Sequence, residues 1–377
     1  MSEGSVTRDR AEWNKKIAAM KRRQKIARIR QWSLLGAGLA VILAVVLIVS
    51  HVKKGSDPDK DAGMTESSID NATGEGGIVI EPAVSESEEQ SEEEAEGSEY
   101  KYRTENAKTY SYTEADNVEY LAGDNMTSLN AILVDVDNGL ITGSVDYKAR
   151  IYPASMTKVM TLLVAVENMD DMEKVVSVSA DATNYAYSKK LSAVNYSIGE
   201  NVTMRDLCYG TILPSGADAA AELAIQIAGS MDDFVVLMNE KAQELGISGT
   251  THFSNVSGSY DDNNYSTCKD LAIIMNAAMD NEYCREILSA HKYTTSATTE
   301  HPDGIEISNW FLRRIEDKDT GGEVIGAKTG FVVESRNCAV SYYTSATGHN
   351  YIAVTVNAHS AWRCIYDHVD IYKNHTQ

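Results

Sequence analysis

In the stretch "IYPASMTKVMT", residues 151–161, a serine and a lysine stand three apart, Ser155 and Lys158, just after a proline suited to a helix start. On a helix the two share a face, so the amine can reach the hydroxyl. A hydroxyl is a weak nucleophile at its ordinary pKa, and a lysine can act as its base if burial and a second cation depress the amine. Taken alone the pair arises often by chance and fits a helix start with a solvated lysine better. Two further elements change the balance. About sixty residues on stands "PSGADAA", with Ser215 between two helical runs. Some 113 residues later comes "GAKTGFV", with Lys328, Thr329 and Gly330 in a strand pattern. A strand-borne Lys-Thr-Gly suits acyl transfer: the ammonium supplies positive potential, the hydroxyl can bind a carboxylate, and the glycine lets a substrate backbone lie along the strand edge. The three elements in this order are far more specific than any one.

The elements that must position these residues are legible from hydrophobic periodicity. Folded sequence runs from about residue 110 to residue 377 with no second linker, which predicts one domain. "NAILVDVDNGLITGSV" has two apolar runs around an Asp-Asn-Gly turn, the pattern of a β-hairpin. Helical spacing follows in "MTKVMTLLVAVENM", "TMRDLCYGTILPSGADAAAELAIQIAG", "MDDFVVLMNEKAQELG" and "CKDLAIIMNAAMDN". The last part alternates as strands, "EVIGAKTGFV", "NCAVSYYTSAT" and "NYIAVTVNA", and closes on a helix, "WRCIYDHVDIYK". This order predicts an α+β fold: one antiparallel sheet assembled from both ends of the domain, with a helical block inserted between them.

Charge and hydropathy organise the rest. The net charge of −21 hides a basic segment, about ten Lys and Arg over residues 8–30, and an acidic run of roughly fifteen carboxylates from Asp57 to Glu99. With the basic tail set aside no basic face remains, which argues against nucleic acid as a partner. Between the charged blocks lies "WSLLGAGLAVILAVVLIVS", long enough to cross a bilayer as a helix. It lacks a polar stripe and a clear cleavage site, so it reads as an uncleaved signal anchor. The excess of Lys and Arg before it puts the N-terminus in the cytoplasm. The expected organisation is a basic cytoplasmic tail over 1–31, a transmembrane anchor over 32–50, a disordered acidic stalk over 51–109 and an extracytoplasmic domain over 110–377. The five cysteines are odd in number and contain no C-x-x-C pair, which favours buried free thiols, leaves one or two disulfides open and makes zinc improbable.

On "SMTK", "AKTG", "TMRDLCYGTILPSGADAA" and "THFSNVSGSYDDNNYSTCKDLAIIM", the chain resembles the D-alanyl-D-alanine carboxypeptidases, low-molecular-mass penicillin-binding proteins, over roughly residues 112–373. The resemblance implies a β-lactamase/DD-peptidase-like fold, a cell-membrane location and an acyl-enzyme mechanism without metal or other cofactor. Ser155 would attack the carbonyl between the two D-alanines of a peptidoglycan stem peptide, Lys158 would take its proton, and Ser215 would relay a proton to the leaving amine. The backbone N–H groups of Ser155 and Phe331 would hold the oxyanion, and Lys328 and Thr329, on the strand with Gly330, the substrate carboxylate. β-Lactam antibiotics would be covalent inhibitors. Arg363, in "SAWRCIYDHV", resembles an arginine that assists there, and reads equally as a helix-surface arginine. No C-terminal anchor or small β-rich domain is expected, the N-terminal span taking over the anchoring.

The sequence departs from the family at one telling place: the second motif is Ser-x-Asn in the family, but Ser215-Gly216-Ala217 here, and an alanine side chain neither donates nor accepts. Asp218 follows, but a helical turn would point it elsewhere. Smaller departures are Val332, where threonine is common, and "ESRNC". Two alternatives follow. One is a class A β-lactamase, although no E-x-x-L-N string lies between Asp218 and Lys328. The other is a catalytically impaired wall-binding protein.

Overall fold

The computed structural model describes residues 110–121 and 126–376, which fall within one compact unit. The expected tail, anchor and stalk lie outside the described residues. No helix among the described residues is long and apolar enough to cross a membrane.

A six-stranded sheet is built from the two ends of this region. Its strands are β1 (Thr113–Tyr120), β2 (Asn130–Asp135), β3 (Leu140–Val145), β8 (Gly322–Val332), β9 (Arg336–Ser345) and β10 (Asn350–Ala358), in the order β1-β3-β2-β10-β9-β8. The Asp-Asn-Gly hairpin is β2–β3, and the three C-terminal strands form a meander whose last member joins β2. The expectation of an antiparallel sheet holds except at one edge, where β1 runs parallel to β3. No alternating pattern marked β1: its residues are mostly exposed, so burial imposed no periodicity on them. At the opposite edge β8 pairs, among the described residues, with β9 alone, which leaves the other side of the Lys-Thr-Gly strand without a strand partner there.

Both faces of the sheet are covered, which is why β2 reads as a continuous apolar run. The C-terminal helix, Ala361–His375, covers one face, where Ala131, Leu133, Tyr351 and Ala353 pack with Cys364, Ile365 and Tyr372. Residues of opposite orientation, Ile132, Val134, Ile352 and Val354, are equally buried beneath the helical block, whose members Cys268–Asp280 and Glu282–Ser289 lie on the sheet.

The inserted helices are α1 (Thr157–Asn168), α2 (Ala180–Ser188), α3 (Met204–Ile212), α4 (Ala217–Ala228), α5 (Met231–Glu244), α6 (Cys268–Asp280) and α7 (Glu282–Ser289), followed by the short α8 (Leu312–Ile315) and the terminal α9 (Ala361–His375). The single periodic run from Thr203 to Gly229 is two helices, because Pro214-Ser215-Gly216 breaks it. Their ends are set locally. Ser179, Thr203, Ser230, Thr267 and Ser360 each cap the next helix with a side-chain oxygen, and Thr203 with Asp206 forms a capping box. α1 is buried all round, since α3 to α7 pack against it. Two small ribbons, β4 (Val175–Ser177) with β5 (Asn201–Thr203) and β6 (Lys292–Thr294) with β7 (Glu306–Ser308), complete the fold. All five cysteines are buried free thiols.

Beneath α9, His368 is fully buried with both ring nitrogens engaged, Nδ1 to Ser341 Oγ at 2.7 Å and Nε2 to Thr355 Oγ1 at 2.9 Å. Burial pulls its pKa from 6.5 to about 3. The folded state therefore keeps this ring neutral, while the unfolded chain takes up a proton below about pH 6.5. The contribution vanishes above 6.5, and stability is lost as pH falls from there toward 3, by about 1.4 kcal/mol per pH unit. Urea unfolding of the full chain and of His368→Gln across this range should show a slope in the parent that exceeds the variant's by that amount.

Candidate active site

The first-motif serine is presented by a turn wedged against the sheet edge. Ala154–Met156 is a single 3-10 turn that leads into α1, and Ala154, the residue before Ser155, has φ 47°, a left-handed conformation unusual for alanine. Two glycines make room for it. A Cβ on Gly330 of β8 would lie 2.9 Å from Ser155 N and 2.9 Å from Ala154 Cβ. One on Gly258, at φ +77°, would lie 1.7 Å from the Ala154 carbonyl oxygen. The backbone of Ser155 is thus clasped between the Lys-Thr-Gly strand and a turn that follows Asn255.

Lys158 is the second residue of α1, one turn after Ser155; it is 2% exposed, and its Nζ donates to Ser155 Oγ at 3.1 Å and to the Ser257 carbonyl at 2.7 Å. Burial holds its pKa well below the ordinary lysine value, and the Lys328 ammonium lowers it further, while Asp218 opposes both. These are the two influences that a lysine base requires. The Asp218 carboxylate points away from the pair, as its helical position implied: it accepts from the backbone N–H groups of Val194 and Asn195, each at 2.9 Å.

Ser215 stands in the break between α3 and α4 with φ 63°. The break is pinned by Gly216 N–H to the Gly210 carbonyl at 2.9 Å and by Ala217 N–H to the Ser192 carbonyl at 2.8 Å. Lys328, also 2% exposed, reaches across from β8 and donates to Ser215 Oγ at 3.0 Å. Burial brings its pKa down to about 7. Thr329 follows at the rim, Gly330 lies against Ser155, and the Phe331 ring is 61% exposed. Ala217 opens α4 and is wholly buried, so the second motif offers a methyl group where an amide was expected.

The structure thus gathers Ser155, Lys158, Ser215, Lys328 and Gly330 into one cleft between the helical block and the edge of β8. Arg363 lies on α9, near its start. The guanidinium lies 5.7 Å from the Tyr366 ring, and its charge acts on Asp370 of the same helix. Two groups had no assigned role in the sequence: the Ser257 carbonyl, a backbone acceptor with no side-chain signature, and the Asn255 to Gly258 turn that aims it. Asn-x-x-Gly within "SNVSGSY" was the available signal.

A serine paired with a buried lysine beside a strand-borne Lys-Thr-Gly, on a sheet with an inserted helical block, is an arrangement chemically able to support acyl transfer to a serine. The D-alanyl-D-alanine carboxypeptidase family model matches residues 115–360, and the chain belongs to that family. It is 29% identical over 227 residues to D-alanyl-D-alanine carboxypeptidase DacF of Bacillus subtilis, a match covering 60% of this chain and 56% of the relative. It is 32% identical over 199 residues to the D-alanyl-D-alanine carboxypeptidase of Streptomyces sp. strain K15, covering 49% of this chain and 66% of the relative. Both matches span less than two thirds of the relatives' own length. The crystal structure of the Streptomyces K15 DD-transpeptidase superposes with a TM-score of 0.60 at 26% identity, over 67% of this chain and 98% of that one.

The clasp around Ser155 has a measurable cost when filled. Gly246 has φ +74° with open space around its Cβ position, whereas Gly258 has a similar φ and a backbone oxygen in the way. Gly246→Ala should cost about 1 kcal/mol of unfolding free energy from φ strain alone. Gly258→Ala should cost roughly 2 kcal/mol more, because the Ala154 backbone must move. Denaturant titration of the two variants in parallel checks this.

Proposed function

We propose that the protein is a serine-type D-Ala-D-Ala carboxypeptidase that removes the terminal D-alanine from peptidoglycan stem peptides through an acyl-enzyme on Ser155. The observation that carries this reading is the 3.1 Å contact between Lys158 Nζ and Ser155 Oγ, with the lysine pKa well depressed by burial and by Lys328. The unprotonated amine takes the hydroxyl proton as Oγ attacks the penultimate D-alanine carbonyl. The oxyanion is held by the N–H groups of Ser155 and Phe331, donors on the two backbones brought together at Gly330. Ser215, which accepts from Lys328, would relay the proton taken up by Lys158 to the departing D-alanine nitrogen; neutral Lys158 would then take a proton from the water that attacks the ester and return it to Ser155 Oγ as the shortened peptide leaves. Lys328 as a cation, with the Thr329 hydroxyl, receives the substrate's terminal carboxylate. The outer edge of β8 gives the peptide backbone a strand to pair with. Arg363 would assist the carboxylate at longer range.

β-Lactams would acylate the same serine and stay. Family membership favours this peptidase reading over a β-lactamase. The apolar stretch 32–50 supports a location on the cell membrane, with the N-terminus cytoplasmic and the stalked domain outside.

Mass spectrometry of a D-Ala-D-Ala-terminated stem peptide incubated with the full chain should show loss of one alanine. Ser155→Ala should reduce that rate by roughly 10³-fold or more. An unchanged peptide with the parent chain would sink the proposal, and rapid turnover of a penicillin without accumulated label would favour the β-lactamase.

The two lysines set opposite pH requirements. Lys158 acts as a base only when neutral, and Lys328 holds a carboxylate only when protonated. With Lys328 at about 7 in the free protein, kcat/KM should decline as pH rises through about 7. Bound carboxylate raises that pKa, so the decline in kcat should come at higher pH. Lys328→Arg, charged throughout, should remove the alkaline decline in kcat/KM even where overall activity drops.

A further inference from the structure

The second acceptor of Lys158 is used by no step of the proposed chemistry, yet it decides where the amine points. The Ser257 carbonyl takes Nζ at 2.7 Å and lies 3.5 Å from Ser155 Oγ, so one oxygen touches both members of the nucleophile–base pair. A carbonyl in a glycine-containing turn is only as fixed as the turn. This turn is held from inside by Asn255, whose Oδ1 accepts from the N–H groups of Ser257, Gly258 and Ser259 at 3.2, 2.8 and 3.1 Å. It is also held from outside, by the Tyr185 hydroxyl at 2.7 Å from Ser257 Oγ.

Tyr185 belongs to α2, which packs on α4, the helix that the buried methyl of Ala217 begins. Its ring is braced by Lys189, whose Nζ lies 5.0 Å from the ring centroid. Ser257 is 1% exposed, and its Oγ also meets Asn255 Oδ1 at 3.4 Å and the Ser259 N–H at 3.3 Å, so the half-buried Tyr185 hydroxyl adds the outer and shortest of three contacts on one buried hydroxyl. A charged Lys158 gives two of its three N–H groups to Ser155 and Ser257, a neutral one keeps a donation to the Ser257 carbonyl while its lone pair faces the Ser155 hydroxyl, and Ala217 can take part in neither arrangement.

We propose that Tyr185 is a positioning residue for the base: through Ser257 it clamps the turn whose carbonyl holds Lys158 against Ser155, supplying from α2 the positioning that the side chain at 217 cannot give. The inference rests on the acyl-enzyme reading of Ser155. Tyr185 touches neither substrate nor the reacting atoms, so its removal should slow acylation and leave binding alone.

The test is stopped-flow acylation of the full chain by a fluorescent penicillin, which separates the noncovalent dissociation constant from the acylation rate constant. Tyr185→Phe is isosteric and should lower the rate constant by about tenfold, the worth of one hydrogen bond to a buried hydroxyl, with the dissociation constant and Tm unchanged. Ser257→Ala should do the same, and the double variant should lose no more than either single one, since the two hydroxyls act as a unit. Acylation of Tyr185→Phe at the parental rate overturns the proposal while leaving the acyl-enzyme reading intact. Additive losses, or losses that track a lowered Tm and weakened binding, also overturn it, because they mark a merely structural contact. Absence of any label on the folded parent overturns the acyl-enzyme reading and this inference with it.

Discussion

Two lysines buried on either side of Ser155 and Ser215 are the constraint on which this structure turns. An ammonium loses heavily on leaving water, and a second one nearby raises the cost. The fold meets that cost by letting both amines become weak bases and by giving each fixed acceptors: Ser155 and the Ser257 carbonyl for Lys158, Ser215 and the Thr329 carbonyl for Lys328. Burial, which elsewhere only stabilises a core, here sets proton affinity. In the proposed mechanism the two roles are compatible, because it needs one lysine neutral and the other charged, and an arriving carboxylate would shift the balance toward the second.

Such a cleft works only if its walls do not give. The nucleophile stands on a strained turn, Ala154 at φ 47°, and that turn is clasped by two glycine backbones. Behind it α1 is buried on every side, so the turn between Pro153 and Thr157 cannot tilt without disturbing the helical core. In front, β8 is anchored through β9 into a sheet covered on both faces, while its outer edge has no strand partner among the described residues. A rigid helix on one side and a rigid strand on the other hold the reacting atoms, and that outer edge would receive what reacts.

The replacement at the second motif shows how positioning can be redistributed. Ala217 is fully buried at the start of α4, where its methyl can neither donate nor accept a hydrogen bond. The direction of the base is set instead by a main-chain carbonyl, and that carbonyl by a turn with an asparagine at its centre and a tyrosine at its flank. A carbonyl cannot be mutated away, which makes it a robust acceptor, but its aim depends on every group that shapes the turn.

The sequence by itself determined the order of elements and the three short motifs on which the proposed chemistry rests. Hydrophobic period separates strands from helices without tertiary information, and Ser-x-x-Lys one turn apart, Ser215 in a helix break and Lys-Thr-Gly on a strand are local patterns. It also gave the isolation of Asp218 from the pair, because helical geometry is local. What only the tertiary structure decided was which groups meet across long separations. The parallel pairing of exposed β1 had no periodicity to reveal it, and the Lys328–Ser215 bond spans 113 residues. The contact of Ser257 with Lys158 spans 99 and that of Tyr185 with Ser257 spans 72. A backbone carbonyl carries no residue-type signature, and a desolvated lysine looks in sequence like a solvated one. Burial and long-range approach are properties of the folded chain, and they turned a short motif into a desolvated lysine held against a serine hydroxyl.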